Sequence, residues 1–364
     1  MKKNWDLRTS KFEKCVASWS SRHFKSLTQR VEILKVFALS RVFYVASIIP
    51  MTKNVVNQIE RIVGKFLWKS TGKILRIPLD EIKNPVEKGG LGLLCVTAMS
   101  KSLLISQLLR LLKSGYENSL WHIGYWIGEV LSDFHNNFND MTHSQYALGL
   151  YSILAEIVTE LKIRDVLSVS NWRKLTNKNI YNSYTVDFPV PKVERDAGVT
   201  LSHIWQKLLS PSLQSEPREV LFLSIHNKLP VRERLFRIGI VTDPYCEECM
   251  EGTGAVISDV LHLFCQCVKV HDIWKVVRTI IIGLLPVSHK DVEDVDILSL
   301  NFRKTSKDEE ITWLITTYVA EIWNLLEYGK VRKVSRDKFF GFLRFKYRAD
   351  QSGARPQLQI PELV

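Results

Sequence analysis

The chain has no apolar run near the roughly 20 residues that span a bilayer, and its start, Met1-Lys2-Lys3-Asn4-Trp5-Asp6, lacks the apolar core of a secretory signal. It has no Gly-x-Ser-x-Gly elbow and no Gly-Lys-Ser/Thr phosphate-loop ending. Two common frameworks for nucleophilic and phosphoryl-transfer chemistry are therefore missing. Internal repeats and low-complexity segments are absent too. Cysteine is scarce, six in 364 residues, and a disulfide framework belongs to small secreted chains, which nothing in the sequence suggests, so reduced thiols are expected. What remains is a globular composition, 46% hydrophobic and 10% aromatic with a mean hydropathy of −0.03. The expectation is an intracellular protein of the reducing cytoplasm and nucleus with no membrane partner, long enough for two or three domains.

Four of the six cysteines fall within 22 residues, which scattering through a core rarely produces. Cys246, Cys249, His262 and Cys267 have the spacing C-x2-C-x12-H-x4-C. Thiolate and imidazole are borderline-soft ligands suited to a tetrahedral Zn²⁺, and a C-x2-C step lets two sulfurs reach one ion from a tight turn. Asp243-Pro244 opens the first half, and Gly252 and Gly254 loosen the connection to the second. Leu261-His262-Leu263-Phe264 reads as a helix start that presents His262 inward. Cys267 is preferred over Cys265 as the fourth ligand because it lies beyond the first turn of that helix, where it can fold back; Cys265 stays an alternative and His271 a remoter one. A first shell filled by protein leaves no position for an activated water, so the expected Zn²⁺ is structural.

Positive charge is segregated. The net charge is +12, yet residues 1–90 carry 18 Lys+Arg against 7 Asp+Glu and residues 330–348 carry 8 against 1, while the long middle is slightly acidic. Such segregation is the footprint of a polyanion partner, because each cation that neutralises a phosphate releases a condensed counterion. The competing reading is a set of solvated helix faces.

Periodicity makes the chain mainly α. Trp5, Phe12, Val16 and Trp19 recur at helical spacing. A second helix is expected from Thr28 to Ile49, stopped by Pro50, with Ile33, Phe37, Ser40 and Tyr44 as its stripe. A third carries Val55, Ile59, Ile62, Val63, Phe66 and Leu67 after a cap at Thr52 or Asn54. Pro85 to Leu93 reads as a tight glycine turn with no preceding strand, not a phosphate cradle. Val96 to Leu112, with Leu103, Gln107, Leu108 and Leu111, is too apolar to be a free surface. Asp133 to Asp140 and Asn177 to Asn182 read as polar turns, Asp187 to Pro191 as an extended linker, Pro211 and Pro217 as brackets of a short link, and Asp291 to Lys307 as loop. Helices with Trp274 and with Trp313 and Trp323 follow the cysteine cluster.

Together these residues resemble a known family. Trp19-x-x-Arg22 to Leu27-x-x-Arg30, Ile48-Ile49-Pro50-Met51, Phe66-Leu67-Trp68 and Pro85-x4-Gly90-Leu91-Gly92-Leu93 resemble the region downstream of the polymerase core in LINE-type (non-LTR) retrotransposon reverse transcriptases. Leu229-Pro230, Arg234-Leu235, Gly239-Ile240, Cys246-x-x-Cys249, His262-Leu263-Phe264, Cys267 and Ile273-Trp274 resemble the zinc-binding domain that follows it. The resemblance covers about half of the chain. It implies a basic thumb-like helical domain (1–95), a helical connection (96–200), a CCHC zinc-binding domain (201–285) and C-terminal helices with a basic tail (286–364). It further implies RNA and DNA as partners, as template-primer or target site. Arg22, Lys25, Arg30, Lys65 and Lys69 are the expected phosphate contacts, and Trp68 is either a base stack or core.

One departure bears on activity. The family's polymerases use an adjacent Asp-Asp pair to hold two metal ions, and this chain has no Asp-Asp. The expectation is a non-catalytic piece whose palm lies upstream of Met1. A nuclease built on Asp291, Glu293, Asp294 and Asp296 is disfavoured by their loop-like setting. The alternative function is a domesticated zinc-containing scaffold that binds proteins through the apolar face around Leu103 to Leu112.

Overall fold

A computed structural model describes residues 2–20, 22, 26–68, 77–115, 117–134, 138, 149–210, 212–253, 255–286, 291–302, 304–327, 330–331, 335–351 and 359–363. The fold is mainly α, with one antiparallel pair of two-residue strands among the described residues, Leu326–Glu327 and Lys330–Val331. The chain divides into two compact units. The first comprises residues 1–24, 30–74 and 92–189, the second residues 25–29, 75–91 and 190–364. The later division falls in the expected linker, between Pro189 and Val190.

In the first unit the helix Lys2–Ser20 buries Trp5, Thr9, Phe12 and Val16, one residue per turn. The Trp5 ring N–H donates to the Pro50 carbonyl at 3.0 Å, which ties the helix to the end of the next one. The helix Lys53–Trp68 packs against it through Val55, Ile59, Ile62, Val63, Phe66 and Leu67, the stripe read from the sequence. Trp68 ends that helix half-buried, its ring N–H enclosed.

The helical run Leu27–Ala46 contains a π-helical stretch, Leu34–Leu39. From residue 30 onward its buried residues are Val31, Leu34, Ala38, Leu39, Val42, Phe43, Val45 and Ala46. Most of the stripe expected to be core is instead the outer face: Phe37, Ser40 and Tyr44 are exposed and Ile33 is half-buried. The widened turn moves the buried stripe by a residue, which a uniform 3.6 period does not anticipate. The helix Val96–Ser114 shows a similar offset. Leu104, Ile105, Leu108, Leu109 and Leu112 are buried while Leu111 is exposed. The helices Glu117–Leu131, Leu150–Ile163 and Asn177–Thr185 pack against its buried side.

Asn177–Thr185 corrects the reading of that segment as turn. Thr176 and Asn179 form a capping box that starts a helix, and buried Ile180 and Tyr184 anchor it. Polar residues there are cap and solvent face, not loop. Of the expected Asp133–Asp140 turn, Ser132–Phe134 forms a 3₁₀ turn and residues 135–137 and 139–140 lie outside the described residues.

The second unit is built on the helix Asp308–Asn324. From Glu310 to Ala320 every residue is buried, as expected for a helix enclosed on all faces. Asp308, Glu309 and Glu310 in its first turn complement the helix dipole. The helices Ser202–Leu208, Ser215–Ile225 and His271–Leu284 pack on it. Pro217 sits in the first turn of Ser215–Ile225, where its missing N–H costs nothing, and so does not bracket a link. Asp294–Leu298 is a short helix inside the expected loop, held by buried Ile297 and Leu298.

The glycine turn is structural. Gly89 has a left-handed φ of 75° and lies against the Trp205 ring, and a Cβ on Gly90 would meet the Asn84 carbonyl oxygen at 2.0 Å. His226, stacked on Trp205, bonds the Gly89 carbonyl through Nε2 at 3.0 Å. Trp205 donates to Glu194 at 2.6 Å.

Candidate metal centre

In the second unit, Asp243 to Ser258 folds back on itself. Tyr245 and Ile257 form an antiparallel bridge, Cys246 N–H donates to the Val256 carbonyl at 2.8 Å and Ser258 N–H to the Pro244 carbonyl at 2.9 Å. This clip presents Cys246 just before the helix Glu247–Thr253, which carries Cys249. Asp259 then accepts from the His262 N–H at 2.7 Å and starts the next turn. That turn, His262–Gln266, is π-helical, and Cys267 leaves it in an extended conformation with its N–H on the His262 carbonyl at 2.8 Å. The wide turn brings Cys267 back beside His262, while Cys265 points elsewhere.

The structure brings Cys246, Cys249, His262 and Cys267 together. Their ligand atoms lie within 4.8 Å of one another and all four residues are buried. The Cys246 and Cys267 sulfurs are 4.0 Å apart, and the Cys249 sulfur is 3.6 Å from His262 Nε2. A tetrahedron with metal–sulfur bonds of about 2.3 Å has edges of about 3.8 Å, so the group is near the size of one ion's shell. The cluster can hold a metal ion, and three sulfurs with one imidazole suit a borderline-soft one. His262 turns Nε2 inward and leaves Nδ1 buried without a hydrogen-bond partner.

The protonation pattern reflects this crowding. Hydrogen bonds from Cys267 first, and also from His262, pull the Cys246 thiol well below the usual range. Its hydrogen bond with Cys246 and then burial push Cys267 up, and burial does the same to Cys249. One thiolate is thus favoured before the others, and a cation is the natural means of holding three sulfurs ionised in one enclosed space. The two alternative ligands are engaged otherwise. Cys265 is buried apart from the cluster, its thiol pushed up by burial, and His271 Nδ1 is 3.0 Å from the Cys265 carbonyl oxygen.

The surroundings hold the loop by means that sequence reading missed. Arg232 reaches both Asp243, at 2.9 Å, and Glu247, at 2.6 Å. Lys269 pairs with Glu248 at 2.7 Å. The buried Tyr318 hydroxyl donates to the Phe264 carbonyl, which fastens the π turn to the central helix. A buried Tyr 54 residues downstream carries no local signal of that role.

The expected phosphate contacts fare differently from one another. Arg22 is exposed with its guanidinium 4.3 Å from the centre of the Trp19 ring, and Lys65 is exposed without a carboxylate partner among the described residues. Arg30 is half-buried and donates to the Leu67 carbonyl, capping the helix Lys53–Trp68. Lys25 and Lys69 lie outside the described residues. The acidic run does not assemble a site: Asp294 pairs with Arg278 at 2.7 Å and Asp296 accepts from Asn301 at 2.9 Å. Among the described residues the cysteine cluster is the one group of three or more His, Cys, Asp or Glu placed to share an ion.

Neither protein-family models nor curated proteins match this chain on comparison. Among the described residues no helix is long and apolar enough to cross a membrane.

Proposed function

We propose that the chain is a nucleic-acid-binding, non-catalytic part of a LINE-type reverse transcriptase, from the region downstream of the polymerase core, with one structural Zn²⁺ in the Cys246, Cys249, His262 and Cys267 knuckle. Template-primer RNA and DNA, or target DNA, are its partners. The observation that carries the reading is the set of cations in the first unit that have no internal use. Arg8, Lys11, Lys14, Arg41, Lys53, Arg61 and Lys65 are exposed, and none has an ion-pair partner among the described residues. Exposed, uncompensated charge of one sign favours a partner that brings the other sign in bulk, and phosphate backbones do.

The knuckle contributes order, not chemistry. With four protein ligands it has no open coordination position, and Zn²⁺ binding there adds directly to folding free energy. The test is binding of the full chain to a labelled RNA or DNA across a salt series. Affinity should fall steeply and log-linearly with salt, by roughly 0.7 to 0.9 in slope for each phosphate contact. Affinity that is flat between low and physiological salt would overturn the reading.

A further inference from the structure

The outer face of the helical run in the first unit forms a groove against the helix Lys2–Ser20. The groove has a volume of about 510 Å³ and is lined by Arg8, Lys11, Phe12, Ser40, Arg41 and Tyr44 with one more apolar neighbour. No carboxylate lines it. Tyr44 is 77% exposed, an unusual setting for a large ring beside three cations that themselves have no ion-pair partner among the described residues. Seven residues earlier in the same helical run, about 10 Å along the axis, Phe37 is 45% exposed and its ring lies 4.9 Å from Trp19, on which Arg22 stacks. The groove therefore sets an exposed ring among guanidinium and ammonium groups.

Cations alone fit any polyanion. Exposed rings add a requirement: the ligand must offer flat apolar faces between its charges. A blunt duplex hides its base faces in the stack, whereas an unpaired strand presents them together with its phosphates. We propose that this groove holds an unpaired segment of RNA or DNA, with a base stacked on Tyr44 and the flanking phosphates on Arg8, Lys11 and Arg41. The proposal rests on the nucleic-acid reading above and narrows it to single-stranded ligand at a defined place.

The test uses the full chain with two probes, a labelled 20-nucleotide oligo(dT) and a blunt 20-base-pair duplex. Tyr44→Ala should weaken oligo(dT) binding by roughly 5- to 150-fold and leave the duplex within about 2-fold, with Tyr44→Trp restoring the single-strand affinity. Lys11→Ala and Arg41→Ala should each reduce the oligo(dT) salt slope by about 0.7. An unchanged melting temperature for Tyr44→Ala, expected at so exposed a position, separates a binding loss from unfolding. If Tyr44→Ala leaves oligo(dT) binding unchanged, or weakens both probes equally, the groove assignment is wrong while salt-dependent binding elsewhere still stands. If neither probe binds the unaltered chain in a salt-dependent way, the groove and the general reading fall together.

Discussion

The cations around the knuckle and a set of exposed cations in the first unit are the same residue types put to opposite uses. Near the cysteine cluster, Arg232 bridges Asp243 and Glu247, Lys269 meets Glu248 and Arg237 meets Glu233. The first unit leaves Arg8, Lys11 and Arg41 turned to solvent. The stabilising forces differ in the same way. The helices of the first unit bury a broad apolar core from Cys95 to Tyr184, while the knuckle encloses thiols that repel one another once ionised. A charge paired inside the protein holds a loop in place, and one left unpaired is available to a partner. Composition alone does not distinguish them.

The sharpest way to break the comparison is to remove a ligand. Cys249→Ser should leave the region from about 230 to 285 protease-sensitive and without stoichiometric metal, since structural Zn²⁺ contributes on the order of 10 kcal/mol in small knuckles. The helices of the first unit should keep their resistance. Digestion mapped by mass spectrometry, with elemental analysis of the reduced protein, reads both. An intact knuckle without metal would show that packing suffices there as well.

Ile180→Ala is the converse, a cavity in the first unit next to the helix Val96–Ser114. It should cost about 2–5 kcal/mol by denaturant unfolding with metal content unchanged.

Acid provides a third comparison. Burial lowers the His226 pKa to about 4, with the hydrogen bond to Gly89 partly opposing it, from an unfolded value near 6.5. Because the native state disfavours the charged ring, this stabilisation is complete above about pH 6.5 and is lost as pH falls toward about 4, on the order of 3 kcal/mol in all. The pH dependence of unfolding should flatten over that window in His226→Gln. Equal slopes in both proteins would remove His226 as the cause.

The smallest effect is the most direct contrast. Lys65→Ala should change stability by less than about 0.5 kcal/mol yet lower the salt slope of nucleic-acid binding, whereas Arg232→Ala should hasten metal loss to a chelator and leave that slope alone. A shared phenotype would erase the distinction between paired and unpaired cations.

Much of this was legible from residue order, and the exceptions have identifiable causes. The stripes of Lys2–Ser20 and Lys53–Trp68 follow an undisturbed 3.6 period. Leu27–Ala46 does not, because its π-helical stretch shifts the buried face, and the stripe read as core became the groove wall. Asn177–Asn182 looked like turn because its capping residues are also turn residues. The four residues of the cluster are readable from spacing; their clamps, Arg232 and Tyr318, are not, because their partners come from other parts of the chain.

By itself the sequence determined the helical class, the segregation of charge and the set of three thiols and one imidazole that can share an ion, since each depends on residue type and short-range spacing. Only the tertiary structure decided which cations are neutralised at home and which face outward, and that Tyr44 stands in solvent instead of the core. Those outcomes depend on distances between residues remote in the chain and on one widened helical turn, and neither is encoded in any local window.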